Sequence, residues 1–525
     1  MTVLVPLCVA VLLALVPGGA ATGAAASAKV DAGLASVMSR GGAAKVIVDV
    51  ATPAEARKLT VDGFRATARW AAVAAVPGVA TAAGVARLAA DPAVVRVGLD
   101  LGGHGGGAPD LALIHADVAH AQGLTGHGVN VAVLDSGVDE THPDLRSSIV
   151  AEHCFGTTVC RGGARELAGP GSAADDNGHG TNVAGIVTSD GTAAPIGVAP
   201  GAGLVAVKVL DAQNRFASTS DIISALNWVA TARPDVRVVN MSLGTDRLYA
   251  GTCDAADAST SALASVVAAL RARGTLVFAS SMNNRSTTAM AAPACVAGVV
   301  SVGAVYARRG PSSSVFGCTD ATPVPDRITC FSDSDSALDL LGPGALVTST
   351  GLGGGQSTYT GTSQASPHGA GAAALLLEAD PSLSAAALER LLKTTGRPIT
   401  DPRNGVITPR IDVAAALDAL HGRVAAASVA PRTLRFGRVR VGRSRTLRVT
   451  VRSTGPVHLS VAAGRAPSGF AVAPGRLELA PGATGSLRVT FRPRAARAFS
   501  GRLTLGTNAP ASGRVVVRLT GAGVR

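Results

Sequence analysis

Aromatic side chains are scarce in this sequence. They account for 3% of its 525 residues, whereas hydrophobic residues as a whole reach 47%, much of it alanine and valine. This balance predicts small, closely packed side chains and tight backbone turns, and it argues against binding sites built from aromatic rings. Since domains typically contain about 100–200 residues, the length predicts two to four structural units.

Long apolar runs are absent after the first 28 residues. No later stretch reaches about 18 uninterrupted apolar residues, so no membrane anchor is expected. Residues 1–28 combine an apolar core, Val3–Leu15, with the small residues Ala24–Ala28. This pattern is typical of a cleavable signal peptide, although a positively charged start is missing. These features predict a secreted, extracellular protein whose mature form lacks Cys8.

Closely spaced cysteine pairs of the C-x2-C type are also missing, which argues against a zinc cluster. Once Cys8 is set aside, six cysteines remain, and an exported protein is expected to use them in disulfide bonds. Sequence alone does not choose among the connectivities. We expect each cysteine to pair with its neighbour along the chain, so that three separate loops are closed: Cys154–Cys160, Cys253–Cys295 and Cys318–Cys330.

Acidic residues are outnumbered, 35 against 47 basic ones, and the formal net charge is +12. The imbalance is greatest in residues 432–525, where Glu478 is the single carboxylate. No zinc-finger spacing, aromatic RNA-binding strand or basic zipper accompanies this charge, so we expect no nucleic-acid partner. A solvated outer face of a sheet is the first interpretation of the arginines, and contact with an anionic cell-envelope polymer is the second.

Four segments follow one another along the chain. After the signal peptide (1–28), residues 29–101 predict a small α+β unit that ends in a glycine-rich stretch, residues 102–107. This arrangement is typical of a propeptide with a processing site, and an ordinary N-terminal binding domain is the alternative. Residues 111–421 alternate apolar strands with helices, which predicts an α/β fold with a parallel sheet covered on both faces. Residues 428–525 alternate with period two, which predicts an all-β immunoglobulin-like sandwich.

Three short motifs carry the candidate chemistry. Asp135 ends an apolar strand in D-S-G, at the edge where parallel strands line a ligand crevice. His179 lies between two glycines of G-H-G-T at the start of a helix, and Ser363 begins another helix in G-T-S-x-A-x-P-H. A helix N-terminus offers free N–H groups that suit an oxyanion. Taken singly, each residue also fits a helix cap.

The chain order Asp, His, Ser is that of subtilisin. With these three motifs, residues 111–421 resemble the subtilisin-like serine proteases, the subtilases, and residues 29–101 resemble their inhibitory prodomain. The resemblance implies a three-layer catalytic domain that hydrolyses peptide bonds, with Ser363 as nucleophile, His179 as general base and Asp135 as its orienting partner. It further implies polypeptide substrates, inhibition by the chain's own propeptide and no cofactor, and we expect a monomer.

The resemblance also assigns residues around the triad. Asn283 matches the second donor of the oxyanion hole, but Met282 stands where the family has glycine, and the adjacent Asn284 is the alternative donor. The S-L-G segment at residues 242–244 matches the family residues that pair with the substrate backbone. Ser280 and Ser281 match residues that form the wall of the S1 pocket. Met282 near the floor of that pocket predicts a preference for small side chains. The substrate-binding candidates are Ser242, Leu243, Gly244, Ser280 and Ser281.

Calcium stays undecided from the sequence. Asp144 matches a calcium ligand of some relatives, but the companion loop between Ser189 and Ile196 is short, and Ca²⁺ requires about six to eight oxygen ligands. Two rival functions remain open as well. One is an inactive subtilase-like binding protein that acts through its C-terminal sandwich, and the other is an esterase that uses the same triad.

Overall fold

The computed structural model describes residues 29–39, 42–69, 74–99 and 109–525. The predicted signal peptide, Cys8 and the glycine-rich stretch 102–107 lie outside the described residues. The chain divides into two compact units, Met1–Gly105 and Gly106–Arg525.

In its described residues, the first unit is a four-stranded antiparallel sheet with three helices. The strand order is β2-β3-β1-β4. Alternation along β1 buries Val46 and Val48 completely, and Leu88 of the helix between β3 and β4 packs into the same core. The elements are α1 (Ala32–Ser39), β1 (Ala43–Val50), α2 (Pro53–Lys58), β2 (Phe64–Ala66), β3 (Ala75–Thr81), α3 (Ala82–Ala90) and β4 (Val94–Leu99).

A ten-stranded sheet forms the centre of the second unit. Its order is β19-β20-β16-β13-β11-β9-β5-β8-β6-β7, and the eight inner strands are parallel. Both faces of these strands are covered, since every residue of β11 and β13 is buried. The strands are β5 (Asn130–Asp135), β6 (Ile149–Phe155), β7 (Glu166–Ala168), β8 (Gly203–Lys208), β9 (Val236–Met241), β11 (Leu276–Ser280), β13 (Val299–Tyr306), β16 (Leu340–Ala345), β19 (Arg397–Thr400) and β20 (Ile407–Arg410).

Strand β5 marks the point where the strand order of the sheet reverses. Strands β8 and β6 lie on one side of it, and β9, β11 and β13 lie on the other. In open parallel sheets, ligands bind outside the carboxyl ends of the strands at such a point. Asp135, the last residue of β5, therefore lies at the expected crevice.

Helices cover both faces of this sheet. The helix that begins at Thr362 is buried at every position through Leu377. Its small residues permit this burial, because a Cβ added at Gly371 would lie 2.5 Å from Val198. The helices are α4 (Pro109–Leu113), α5 (Ala116–Ala121), α6 (His179–Thr188), α7 (Thr219–Ala232), α8 (Ala258–Ala272), α9 (Thr362–Ala379), α10 (Ala385–Thr395) and α11 (Val413–Leu420), with a 3₁₀ turn at Arg161–Gly163.

Short two-stranded ribbons and three disulfides complete the α/β region. The predicted pairing is confirmed, with disulfides Cys154–Cys160, Cys253–Cys295 and Cys318–Cys330. The ribbons pair β10 with β12, β14 with β15 and β17 with β18. Their strands are β10 (Leu248–Tyr249), β12 (Met290–Ala291), β14 (Ser313–Val315), β15 (Cys318–Asp320), β17 (Val347–Gly351) and β18 (Gly355–Tyr359).

The C-terminal region consists of two sheets, ordered β21-β23-β27-β25 and β22-β29-β28-β24-β26. Four buried phenylalanines fill the space between them, and the rings of Phe470 and Phe491 lie 4.8 Å apart. The strands are β21 (Ala427–Ala430), β22 (Thr433–Arg440), β23 (Arg445–Ser453), β24 (Leu459–Ala463), β25 (Phe470–Ala473), β26 (Arg476–Leu479), β27 (Thr484–Phe491), β28 (Ala498–Thr507) and β29 (Arg514–Val524).

The predicted fold class is confirmed: an α/β region built on a parallel sheet, preceded by a small α+β unit and followed by an all-β region. Within the described residues, no helix combines the length and hydrophobicity that a membrane span needs.

Candidate active site

The candidate site begins with a buried carboxylate and an imidazole. Asp135 is fully buried, and its Oδ1 atom accepts hydrogen bonds from His179 Nδ1 at 2.6 Å and from Ser136 N at 2.8 Å. With its proton on Nδ1, the imidazole keeps Nε2 free to accept another. Burial lowers the pKa of His179, but the charge and hydrogen bond of Asp135 and the charge of Asp175 outweigh this effect and hold the pKa above its ordinary value of 6.5.

The glycines around His179 allow the helix that carries it to approach β5. Gly178 has φ +97°, a left-handed conformation that favours glycine. A Cβ added at Gly180 would lie 2.1 Å from the carbonyl oxygen of Gly137 and 3.1 Å from Cβ of Asp135. A side chain at position 180 would therefore displace the imidazole from the carboxylate.

Ser363 is the second residue of α9, and two reciprocal hydrogen bonds join it to the end of β9. Ser363 Oγ donates to the carbonyl of Ser242 at 3.3 Å, and Ser242 Oγ donates to the carbonyl of Ser363 at 2.7 Å. The second bond has a local cause. Pro367 lies inside the helix and lacks the N–H group that would pair with the Ser363 carbonyl, so Ser242 supplies a donor in its place.

Asn283, rather than Asn284, faces the serine. Asn283 Oδ1 accepts from the backbone N of Thr362 at 2.9 Å and from its hydroxyl at 3.1 Å. These bonds fix the amide group beside the start of α9. Asn284 turns away, since its Nδ2 donates to Asp333 Oδ2 at 2.8 Å. The ambiguity between these two asparagines comes from their adjacency in the sequence, and the side-chain directions separate them.

Met282 adopts a backbone conformation that explains why glycine suits this position. Its φ is +80°, which is uncommon for a residue with a side chain. Hydrogen bonds hold it there, from its N–H to the hydroxyl of Thr362 and from Asp333 N to its carbonyl. Its side chain lies against Gly244, where an added Cβ would be 2.7 Å from Met282 Cγ.

A cavity of about 540 Å³ opens beside these groups. Ser363 and Asn283 line it, together with the predicted substrate-binding residues Ser242, Leu243 and Gly244. The loop after β8 forms further wall, which the sequence reasoning missed because it carries no motif. A search of the loops that follow strands beside β5 would have found it. Its lining residues are Leu210, Asn214, Arg215, Phe216, Ala217 and Ser218, and Thr219 at the start of α7 also lines the cavity.

Ser280 and Ser281, predicted to form the wall of the S1 pocket, do not line this cavity. Both are fully buried. The Ser280 hydroxyl points to the sulfur of Met282 at 3.6 Å, and the Ser281 hydroxyl points to that of Ser332 at 3.5 Å. The Met282 side chain takes the lining position instead. The predicted preference for small side chains in the S1 pocket stays a prediction.

The surroundings of Asp144 do not fit a calcium ion. This fully buried carboxylate accepts hydrogen bonds from Ser189 Oγ at 2.8 Å and from the backbone N–H groups of Ala193 and Ala194 at 2.7 and 2.9 Å. Calcium requires oxygen acceptors, whereas the groups directed at Asp144 are donors. The short loop after Ser189 thus folds back onto the carboxylate and satisfies it.

A parallel α/β sheet with a carboxylate, an imidazole and a serine hydroxyl at its carboxyl edge defines a serine hydrolase. Residues 126–415 match the model of the subtilase family, Peptidase_S8. "Subtilisin Savinase" of Lederbergia lenta is 37% identical over 286 residues, which are 54% of this chain and 89% of that protein. "Subtilisin E" of Bacillus subtilis (strain 168) is 34% identical over 290 residues, 54% of this chain and 65% of that protein. The chain belongs to the subtilase family and is a serine-type endopeptidase.

Two further similarities accompany this assignment. The solved structure titled "Crystal structure of a cold adapted subtilisin-like serine proteinase" is 26% identical, with a TM-score of 0.44 over 55% of this chain and 90% of that chain. Residues 422–515 match the ASH model, described as "Abnormal spindle-like microcephaly-assoc'd, ASPM-SPD-2-Hydin".

Proposed function

We propose that this chain is a secreted endopeptidase that cleaves peptide bonds through a triad of Asp135, His179 and Ser363. One observation carries the proposal. The imidazole of His179 is bound at Nδ1 by a buried carboxylate, and the cavity that Ser363 lines also contains Asn283 and the 242–244 segment. A serine without such an arrangement would not be activated at neutral pH.

The chemistry follows from the positions of these groups. The Ser363 hydroxyl turns from the Ser242 carbonyl towards His179 Nε2, gives up its proton and attacks the substrate carbonyl. His179 then delivers the proton to the leaving amine, and the acyl-enzyme is hydrolysed by the reverse sequence with water. Asp135 holds the imidazole in the required tautomer and stabilises its protonated form.

The developing negative charge on the carbonyl oxygen needs donors. The backbone N–H of Ser363, in the first turn of α9, is one, and the Nδ2 group of Asn283 is the other. Because Asn283 Oδ1 is fixed by Thr362, the amide need not reorient as the charge forms. Loss of one such donor typically lowers kcat by about 10²–10³-fold.

The substrate is an extended polypeptide in this proposal. Ser242, Leu243 and Gly244 follow β9 directly and line the cavity, so they offer backbone groups to a peptide that pairs as an added strand. Such pairing favours peptides over the simple esters that the same triad would hydrolyse.

The N-terminal region supports a second part of the proposal, maturation by removal of a propeptide. The described residues of the first unit, within 29–99, have an α+β fold and an apolar core of their own. In this proposal residues 1–28 direct export and residues 29–101 inhibit the enzyme until they are cleaved off.

The test is to express the wild-type chain and the Ser363→Ala variant and to sequence the N-termini of the purified products. We expect the wild type to begin between Asp100 and Asp110 and the variant to retain the preceding segment. A fluorophosphonate probe should label the wild type and not the variant. Ser500→Ala, which removes an exposed hydroxyl of β28, is the control and should behave like the wild type.

Labelling of Ser363→Ala equal to that of the wild type would contradict the assignment of the nucleophile. A folded wild-type chain that is neither labelled nor processed would contradict the proposed activity.

A further inference from the structure

The C-terminal sandwich carries a positive charge that its own fold does not neutralise. Residues 432–525 contain 18 arginines, no lysine and one carboxylate. Among the residues that the structure describes, Arg476 is the one arginine of this set in an ion pair with a carboxylate, that of Asp326. Glu478 is already engaged by Arg397, which belongs to the α/β region.

Some of these arginines face each other on the outer side of the five-stranded sheet. Arg502 of β28 is directly opposite Arg518 of β29, and both are exposed. Arg435 of β22 pairs with Thr520, which places it diagonally next to Arg518. Like charges directly opposite each other destabilise a sheet. A bound anion would remove this repulsion.

The same face leads into a cleft of about 330 Å³ between the sandwich and the α/β region. Arg514 lines the cleft and pairs across the sheet with Gly506. A Cβ added at Gly506 would lie 2.6 Å from Cγ2 of Ile407, so the α/β region covers the sheet up to this point. Arg465 also lines the cleft.

The cleft and the arginine face are continuous. Thr504 lines the cleft and lies two residues from Arg502 on the same strand and face. No carboxylate is found among the described residues that line the cleft. We name this continuous surface the arginine surface and define it by Arg465, Arg514, Arg502, Arg518 and Arg435.

The chemistry of this surface favours repeating phosphate groups. A guanidinium binds phosphate through two parallel hydrogen bonds, which lysine does not provide. Directly opposite residues of a sheet lie about 4.5–5.5 Å apart and diagonal ones about 7–8 Å apart, so the arginines suit anions repeated at short intervals along a chain.

Nucleic acid fits this surface poorly. Binding of single strands relies on exposed aromatic rings for base stacking. The aromatic residues of the sandwich point into its core instead. They are Phe436, Phe470, Phe491 and Phe499.

We propose that the arginine surface binds a linear phosphodiester polymer without bases, of the poly(glycerol phosphate) type, and so holds the protein on an anionic envelope. The cleft takes one section of the chain between Arg465 and Arg514, and the outer face of the sheet takes the next. This binding does not depend on the proposed triad.

The test is a titration of the full-length chain carrying Ser363→Ala, which prevents self-digestion, with fluorescently labelled poly(glycerol phosphate). Two variants alter the surface, R465Q/R514Q in the cleft and R502Q/R518Q on the face. The matched control is R448Q/R488Q, because these exposed arginines also lie directly opposite each other, but on the four-stranded sheet, whose strands contribute no residue to the cleft. All three double variants lose two charges.

We expect each surface variant to weaken binding at least 10-fold and the control less than 2-fold. The slope of log K against log salt should fall by about 0.7 for each lost phosphate contact. The melting temperature of R502Q/R518Q should not decrease, because the change removes a repulsion, so loss of affinity in that variant does not come from unfolding.

Three results would overturn the proposal. An equal loss of affinity in R448Q/R488Q would show diffuse attraction to a basic domain. Tighter binding of duplex DNA or of the polycarboxylate hyaluronate at the same ionic strength would point to another ligand class. Absence of binding at low salt would exclude the site altogether.

Discussion

Asp175 helps to position His179, which accepts the proton of Ser363 in the proposed mechanism. It lies in the turn before α6, and its carboxylate accepts hydrogen bonds from the backbone N–H groups of Asn177, Gly178 and Thr181. It therefore fixes the start of the helix on which His179 is the first residue. Its charge also contributes to the raised pKa of His179.

Replacement of Asp175 should move the pH dependence of the enzyme. Only the neutral imidazole accepts a proton, so activity falls as pH decreases through the pKa of His179. Asp175→Asn removes a charge that raises this pKa, and we expect the acid limb of kcat/KM to move to lower pH. The pH–rate profile measures this shift, because the position of the acid limb is independent of the maximal rate.

Asp176→Asn is the matched control for this change. It removes the same charge from the next residue, whose carboxylate is half-exposed and pairs with Lys208. An equal shift in the control would show that the overall charge, and not Asp175, sets the profile.

The loop that follows α6 supplies hydrogen-bond donors to Asp144, the buried carboxylate that matches a calcium ligand of some relatives. Ser189, Ala193 and Ala194 direct donors at Asp144, and the bonds join this loop to the turn after β5. Because the acceptor is a buried carboxylate, each of these bonds is stronger than a bond to a neutral acceptor. These three hydrogen bonds therefore stabilise the loop.

Asp144→Asn should lower the free energy of unfolding by about 1.5–3 kcal/mol, because an amide replaces a charged acceptor that three donors share. The difference from the wild type should be the same with calcium or with a chelator, as measured by denaturant unfolding. Asp190→Asn, an exposed change in the same loop, should have little effect. A difference that grows with calcium would contradict this account.

At the scale of the whole molecule, Asp326 joins the sandwich to the α/β region. Its carboxylate lies 3.0 Å from Arg410 Nε, 3.2 Å from Arg397 and 3.4 Å from Arg476 of β26. Arg410 is only 1% exposed, and the Asp326 carboxylate compensates its buried charge. Thr400 reinforces the junction by donating to the carbonyl of Ala463.

Asp326→Asn should lower the free energy of unfolding by about 3–5 kcal/mol, because it leaves the buried charge of Arg410 uncompensated. Asparagine tolerates the φ of +65° at this position, so the backbone is retained. Denaturant unfolding of the full chain measures the change. Arg476→Gln, which removes a partly exposed partner, should cost less than about 1 kcal/mol, and equal losses in the two variants would contradict the assignment.

Periodicity and local composition indicate whether a segment forms a helix or a strand at several positions. The apolar run Leu276–Ser280 coincides with β11, the helix-like run Ala82–Ala90 coincides with α3, and the helical spacing of Ser220–Val229 lies within α7 (Thr219–Ala232). These elements follow from local patterns of burial. The disulfides were also predicted from neighbouring positions, since each closes a separate loop.

Sequence by itself determined the family, the order of the motifs and the elements that carry them, because those depend on residue identity and local periodicity. Only the tertiary structure decided which side chains meet. It turned Asn283 towards the serine and Asn284 away, buried Ser280 and Ser281 behind Met282, and directed donors at Asp144. These outcomes depend on side-chain direction, strand register and loop closure, in which residues distant in sequence come into contact.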